Sequence, residues 1–290
     1  MTRIEATDFK RLIDVPLGVG EGTTWHAGEL ALYFVDIIAP ALFRLDPANG
    51  ALRRWDMPGK IGSFGLCKDG RIIVALKGGI QFFHPGTGRF EPVAHPEAHL
   101  PGNRYNDGKV SPDGRFFVGS MDDRPEKQPV GGLYRIDPDG SCRQVLDGLI
   151  VSNGLAWSGD GRTLFHSDSR AGYVQAFDYD PATGDISRQR RLRTLVEAEG
   201  RPDGAACDAR GVYWSAGVSA GCLNLIGPDG ALVRRIDLPI LAPTMPCFGG
   251  PDLRTLYVTS LTTERGGVKM AGSLHAMQVE ETGAEVAMFG

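Results

Sequence analysis

Short apolar runs separated by polar turns recur along the whole chain. They read LALYFVD from Leu30, DGRIIVAL from Asp69, DGRFFVGS from Asp113, DGRTLFHSD from Asp160, RGVYWSA from Arg210 and LRTLYVTS from Leu253. The central positions Tyr33, Val74, Val118, Phe165, Ser215 and Tyr257 are spaced by 41 to 50 residues. Runs rich in Val, Ile, Phe, Tyr and Trp between Gly- and Pro-bearing turns predict strands, and no stretch carries long helical periodicity. Most runs are followed by an alternating strand, a turn with Gly and a return strand, as in LFRLDPANGAL from Leu42, LYRIDPDGS from Leu133 and LNLIGPDGAL from Leu223.

A unit of about 40–45 residues with four short strands is the signature of a propeller blade. Six such units predict an all-β protein: a six-bladed β-propeller with four-stranded antiparallel blades around a central channel, residues 1–290 forming one domain. The last unit has only GSLHAMQV after its second strand, so the N-terminal FKRLIDVPL is expected to complete that blade and close the ring.

The first strand of a blade lines the channel, and the recurring runs are second strands. Counting back eight residues from each turn glycine, or its equivalent, reaches the same level of every first strand. That level holds Glu21, Gly62, Asn106, Asn153, Asp203 and Met245. Rotational symmetry then brings Glu21, Asn106, Asn153 and Asp203 to one mouth of the channel. Pro-Asp-Gly, ordinarily turn chemistry, occurs four times, at residues 112–114, 138–140, 202–204 and 228–230. Three copies fall at strand-to-strand turns; Asp203 falls on the channel side. Two carboxylates and two amides offer only oxygen, which suits Ca²⁺, Mg²⁺ or Mn²⁺ better than a thiolate-seeking metal. Such an ion polarises a carbonyl and lowers the pKa of bound water, and a neighbouring carboxylate within reach serves as general base.

Composition narrows the partners. Over 290 residues, 42% are hydrophobic and 23% charged, enough for a full core and an ordinary surface. A net charge of -4 gives no reason to expect nucleic acid or an anionic membrane, and the one basic cluster, Arg188 to Arg193, reads as strand decoration. MTRIEATDFKRLIDV has no apolar signal core, and no window suits a membrane span. Five scattered cysteines without a C-x-x-C spacing read as reduced thiols. The expectation is a cytoplasmic protein, by default a monomer.

Other candidates carry less. His95 and His99 are separated by Pro96 in a loop; His166 reads as packed near the channel face; His26 follows Trp25 at a turn; Ser167 and Asp168 leave the end of a strand. There is no G-x-S-x-G elbow, and LKGGI is not followed by a Gly-Lys-Ser/Thr phosphate loop.

The segments GEGTTWH, LYFVDI, NRYNDGKVSPDGRFFVGSM, SNGLAWSGDGRTLFHSDS, RPDGAACDARGVYW and PCFGGPDLRTLYVTS resemble the SMP-30/gluconolactonase family, which includes regucalcin and bacterial sugar lactonases. The resemblance runs from about residue 15 to residue 277 in the family's order and spacing. It implies one divalent metal (Ca²⁺, Zn²⁺, Mn²⁺, Mg²⁺ or Fe²⁺) and hydrolysis of a small sugar lactone to the aldonic acid. By motif, Glu21, Asn153 and Asp203 match the family's metal ligands, and Arg104 and Asn106 its substrate-contacting positions. The metal is expected to polarise the lactone carbonyl while Asp203 activates water. An acidic residue that binds sugar in several members is replaced, in an ungapped alignment of MDDRPEKQP, by Arg124; Asp122 or Asp123 is expected to stand in, with Asp123 taken as the substrate contact. The alternatives are an organophosphate or aryl-ester hydrolase on the same metal propeller, and a non-enzymatic calcium-binding propeller.

Overall fold

The computed structural model describes residues 2–3 and 8–290. Six sheets follow one another around a channel, making a six-bladed β-propeller of antiparallel four-stranded blades, and in blade five Thr2–Arg3 adds a fifth strand parallel to Leu232–Asp237. The innermost strands are Gly20–His26, Ile61–Leu66, Asn103–Val110, Ser152–Trp157, Pro202–Cys207 and Pro243–Gly249. The second strands, Ala31–Asp36, Ile72–Leu76, Phe116–Asp122, Thr163–Asp168, Tyr213–Gly217 and Thr255–Ser260, are the recurring apolar runs. In blade six the outermost place is taken by Lys10–Arg11, which pairs Lys10 with Ala276 and Arg11 with His275.

Both faces of an inner or second strand are buried between neighbouring blades, which is why these segments read as continuous apolar runs rather than as apolar–polar alternations. Within Ala31–Asp36, Leu32 and Phe34 pack towards blade six, while Tyr33 and Val35 pack towards blade two. Among the described residues there are six apolar clusters, and each fills the gap between two consecutive blades. Apart from Leu232–Asp237 in blade five, outer strands lack a second neighbour. Asp185–Thr194, which carries the basic cluster, is accordingly mostly exposed.

The four Pro-Asp-Gly copies separate by backbone conformation. Gly114, Gly140 and Gly230 have φ of 88, 85 and 84°, the left-handed value a turn glycine supplies. Gly204 instead lies within the strand Pro202–Cys207. A Cβ there would stand 2.8 Å from both the Met245 side chain and the Thr244 carbonyl, so glycine lets blades five and six meet closely beside Asp203.

Candidate active site

Each innermost strand slips register once against its second strand, at the same level in all six blades. The slips lie between Glu21 and Thr24, Ile61 and Ser63, Tyr105 and Gly108, Asn153 and Ala156, Pro202 and Ala205, and Pro243 and Pro246. A bulge adds one unpaired residue and re-aims neighbouring side chains. Around this ring of bulges lies a cavity of about 430 Å³ whose lining includes Glu21, Arg104, Asn106, Asp123, Asn153 and Asp203. All six candidate residues therefore share one space. Gly62 and Met245, at the same level, add no side-chain oxygen.

The polar groups are interlocked. Asn153 donates through Nδ2 to Asp203 Oδ1 and, at 2.9 Å, to Ser169 Oγ. Glu21 Oε2 accepts the Gly22 amide at 3.1 Å. Arg104 donates from Nη1 to Asn106 Oδ1 at 2.7 Å and from Nε to Asp123 Oδ1 at 3.2 Å. Asn106 in turn donates to the Ser152 carbonyl at 2.9 Å. Lys60 and Lys77 each place Nζ 3.0 Å from Asp123. Burial works against the Asp123 carboxylate, but the hydrogen bonds of Lys77 and Lys60 together with the nearby charges of Arg104 and Lys60 hold its pKa below the ordinary value.

The deeper carboxylates behave oppositely. Burial, reinforced by Asp203 and Asp107, raises Glu21 well above the usual range. Burial lifts Asp203 to about 7; Arg201 pulls against it and Asp107 adds to it. Asp107 is raised by burial as well, and its Oδ1 has no hydrogen-bond partner. Two buried carboxylates, Glu21 and Asp107, and the half-buried Asp203 thus crowd a region whose nearby cations, Arg104 and Lys109, are themselves weakened by burial. Carboxylates that burial makes costly to ionise, set beside amide oxygen, are the donor chemistry that a hard divalent cation stabilises. Among the described residues no three His, Cys, Asp or Glu side chains form a metal-binding group, so a cation placed here would need the amide oxygen of Asn153 beside Glu21 and Asp203.

The rejected neighbours have structural work. Asp168 accepts the amides of Ile150 and Val151 at 2.8 and 3.2 Å and of Arg170 and Ala171 at 3.0 Å, tying down a cavity-rim loop instead of entering the cavity. Asp36 and Asp122, also the last residues of second strands, bind loop amides in the same way. This removes Asp122 as a stand-in for the displaced acidic position. Arg124 lies against Asp122, largely exposed and outside the cavity lining, whereas Asp123 faces in. His166 is buried and neutral, pushed down to about 3 by burial, between Ser152 Oγ and Gln175. All five cysteines are free.

Sequence reasoning missed Asp107, Lys127, Arg170 and Arg201. A signal for the rim existed: one residue beyond each second strand stand Ile37, Lys77, Asp123, Ser169, Val218 and Leu261. Five of these line the cavity and the sixth, Lys77, holds Asp123.

A model of the SMP-30/gluconolactonase/LRE-like region matches residues 19–262. The chain belongs to this family. Among its relatives, a 6-deoxy-6-sulfogluconolactonase of Pseudomonas putida is 36% identical over 287 residues, covering 97% of this chain and 98% of that one. Regucalcin of Xenopus laevis is 37% identical over 247 residues, 83% of each chain. A solved regucalcin structure from Agrobacterium tumefaciens, described as a calcium-binding protein, superposes with a TM-score of 0.91 at 24% identity, covering 100% of this chain and 98% of that one. At that identity the superposition speaks for the family's fold alone. The matched region contains every cavity residue discussed above, from Val19 to Leu261.

Proposed function

We propose that the protein is a divalent-metal-dependent hydrolase that opens a sugar lactone to its aldonic acid. The observation carrying this reading is the convergence of Glu21, Asn153 and Asp203 with Arg104, Asn106 and Asp123 in one cavity at the channel mouth. The full-length relationship to a sulfogluconolactonase supports lactone hydrolysis as the reaction class.

Glu21, Asn153 and Asp203 would hold the cation through oxygen, Asn153 by its carbonyl Oδ1. When bound, such an ion would supply Lewis acidity towards the lactone carbonyl and stabilise the ionised forms of the two carboxylates that burial disfavours. The protein's own residues do the rest. Asp203 takes a proton from water as that water's oxygen bonds to the carbonyl carbon. When the bond from that carbon to the ring oxygen breaks, Asp203 returns the proton to the ring oxygen, which becomes a hydroxyl. Arg104, fixed by Asn106 and Asp123, presents donors to sugar hydroxyls or to the acyl oxygen, and Asp123 accepts from hydroxyls. Val19, Ile37, Val151, Val218 and Leu261 surround the polar set with apolar wall that limits bulk water.

The test is a panel of aldonolactones, with an aryl ester and an organophosphate for contrast, assayed on chelator-stripped protein and after return of Ca²⁺, Mn²⁺, Zn²⁺ or Fe²⁺. Metal-dependent acid release from a lactone is expected. Its absence from every lactone would sink the reading, and turnover confined to the aryl ester or organophosphate would replace it.

A further inference from the structure

The outer part of the same cavity is far more cationic than a neutral sugar requires. Arg104, Lys127, Arg170 and Arg201 all line it, and Lys60 and Lys77 stand behind Asp123. Setting aside Glu21 and Asp203, which face the metal position, only Asp123 and Glu197 pair with these six cations among the described residues. Asp123 is already shared by three of them. Glu197, largely exposed, reaches Arg201 only at 3.7 Å. Lys127 Nζ bonds the Asp122 carbonyl at 2.9 Å and has no carboxylate partner. Its ammonium is weakened by burial and by Arg104, with Arg170 adding to the effect. The Arg170 guanidinium has neither an ion pair nor a hydrogen bond among the described residues.

Side chains of like charge converging on a cavity repel one another, and that cost is relieved when an anion binds between them. The four lining cations come from three blades: Arg104 and Lys127 from blade three, Arg170 from the loop after the second strand of blade four, and Arg201 from the start of blade five. Asp168 fixes the Arg170 amide at 3.0 Å, and Ser219 Oγ accepts the Arg201 amide at 2.7 Å, so both arginines project from anchored backbone. Guanidinium groups present paired donors suited to the oxygens of a sulfonate, phosphate or carboxylate.

From this charge imbalance we infer that the substrate is an anionic lactone. Building on the lactone reading, it carries a charged acid group at the end of the sugar away from the carbonyl, and Lys127, Arg170 and Arg201 select that group. A neutral aldonolactone is the poorer substrate.

The test compares kcat/KM on the metal-loaded protein for three six-carbon lactones: the neutral parent, one with a sulfonate at the terminal carbon and one with a phosphate there. At least one anionic lactone is expected to exceed the neutral parent by about tenfold, an advantage that shrinks as ionic strength rises. The better of the two identifies the acid group. In an Arg170→Ala/Arg201→Ala variant the anionic-to-neutral ratio is expected to fall by about tenfold, chiefly through KM. Calorimetry with the ring-opened acids on metal-free protein gives a readout independent of turnover, with tighter binding of the sulfonated or phosphorylated acid than of the parent and loss of that preference in the variant. Neutral lactone opened as fast as both anionic ones would overturn the inference while leaving lactone hydrolysis standing. If no lactone of any kind is opened, both fall.

Discussion

The two ends of the channel are built from the same six strands and enclose cavities of similar size, about 430 and 400 Å³, yet they gather very different side chains. At the first, strand bulges bring Glu21, Asn153 and Asp203 together with charge left over. At the second, Trp157, Cys207, Cys247 and Phe248 form the wall and Lys109 Nζ donates a hydrogen bond to the Ala205 carbonyl at 2.6 Å. The C-terminal segment then crosses that end. Gly283 donates to Leu253, Ala284 to Cys207, Phe289 to Leu66 and Gly290 to Gly114, linking blades six, five, two and three. Volume therefore does not distinguish a site from a strapped end; convergent, under-compensated polar groups do.

The largest way to break this contrast is Asp203→Asn. Lactone turnover on metal-loaded protein is expected to fall by about a thousandfold, the scale of losing a general base, and wild-type rates would remove Asp203 from the mechanism. At the opposite end, Phe289→Ala should cost about 3 kcal/mol in a denaturant melt, because the ring is buried against Phe82. There kcat/KM should hold, and a parallel loss of activity would show that the two ends are coupled. Next in size is Asp123→Asn, which should raise KM for a polyhydroxy lactone about tenfold by weakening a charged hydrogen-bond acceptor. An unchanged KM would place sugar recognition elsewhere.

A subtler contrast is in pH. The Asp203 carboxyl sits at about 7 in the folded protein against an ordinary 3.8. The folded chain holds a proton there that the unfolded chain loses, so this contribution is complete below about pH 4 and disappears as pH rises through 7. Metal-free protein should accordingly lose melting temperature between those values, with a shallower slope in Asp203→Asn. Metal affinity should rise over the same interval, because binding displaces that proton. The smallest effect is expected from Arg124→Ala: an exposed pair with Asp122 outside the cavity should change kcat/KM by less than about twofold. A larger change would return Arg124 to the site in place of Asp123.

The sequence of this protein determined the blade count, the channel-side strands and the level at which Glu21, Asn106, Asn153 and Asp203 meet. These follow from local turn chemistry and apolar runs repeated six times, and repetition converts spacing along the chain into position around an axis. The choice among Asp122, Asp123 and Arg124 was not legible, because neighbouring residues of an extended strand point to opposite sides and a one-residue slip exchanges them. Only the structure showed that Asp122 is spent on loop amides while Asp123 faces the cavity. Likewise Lys127, Arg170 and Arg201 lie in connections of unequal length, where no period relates one blade to the next. Their meeting at one rim, and the C-terminal strap across the other end, were decided by tertiary packing, which brings together charges and segments that no local pattern links.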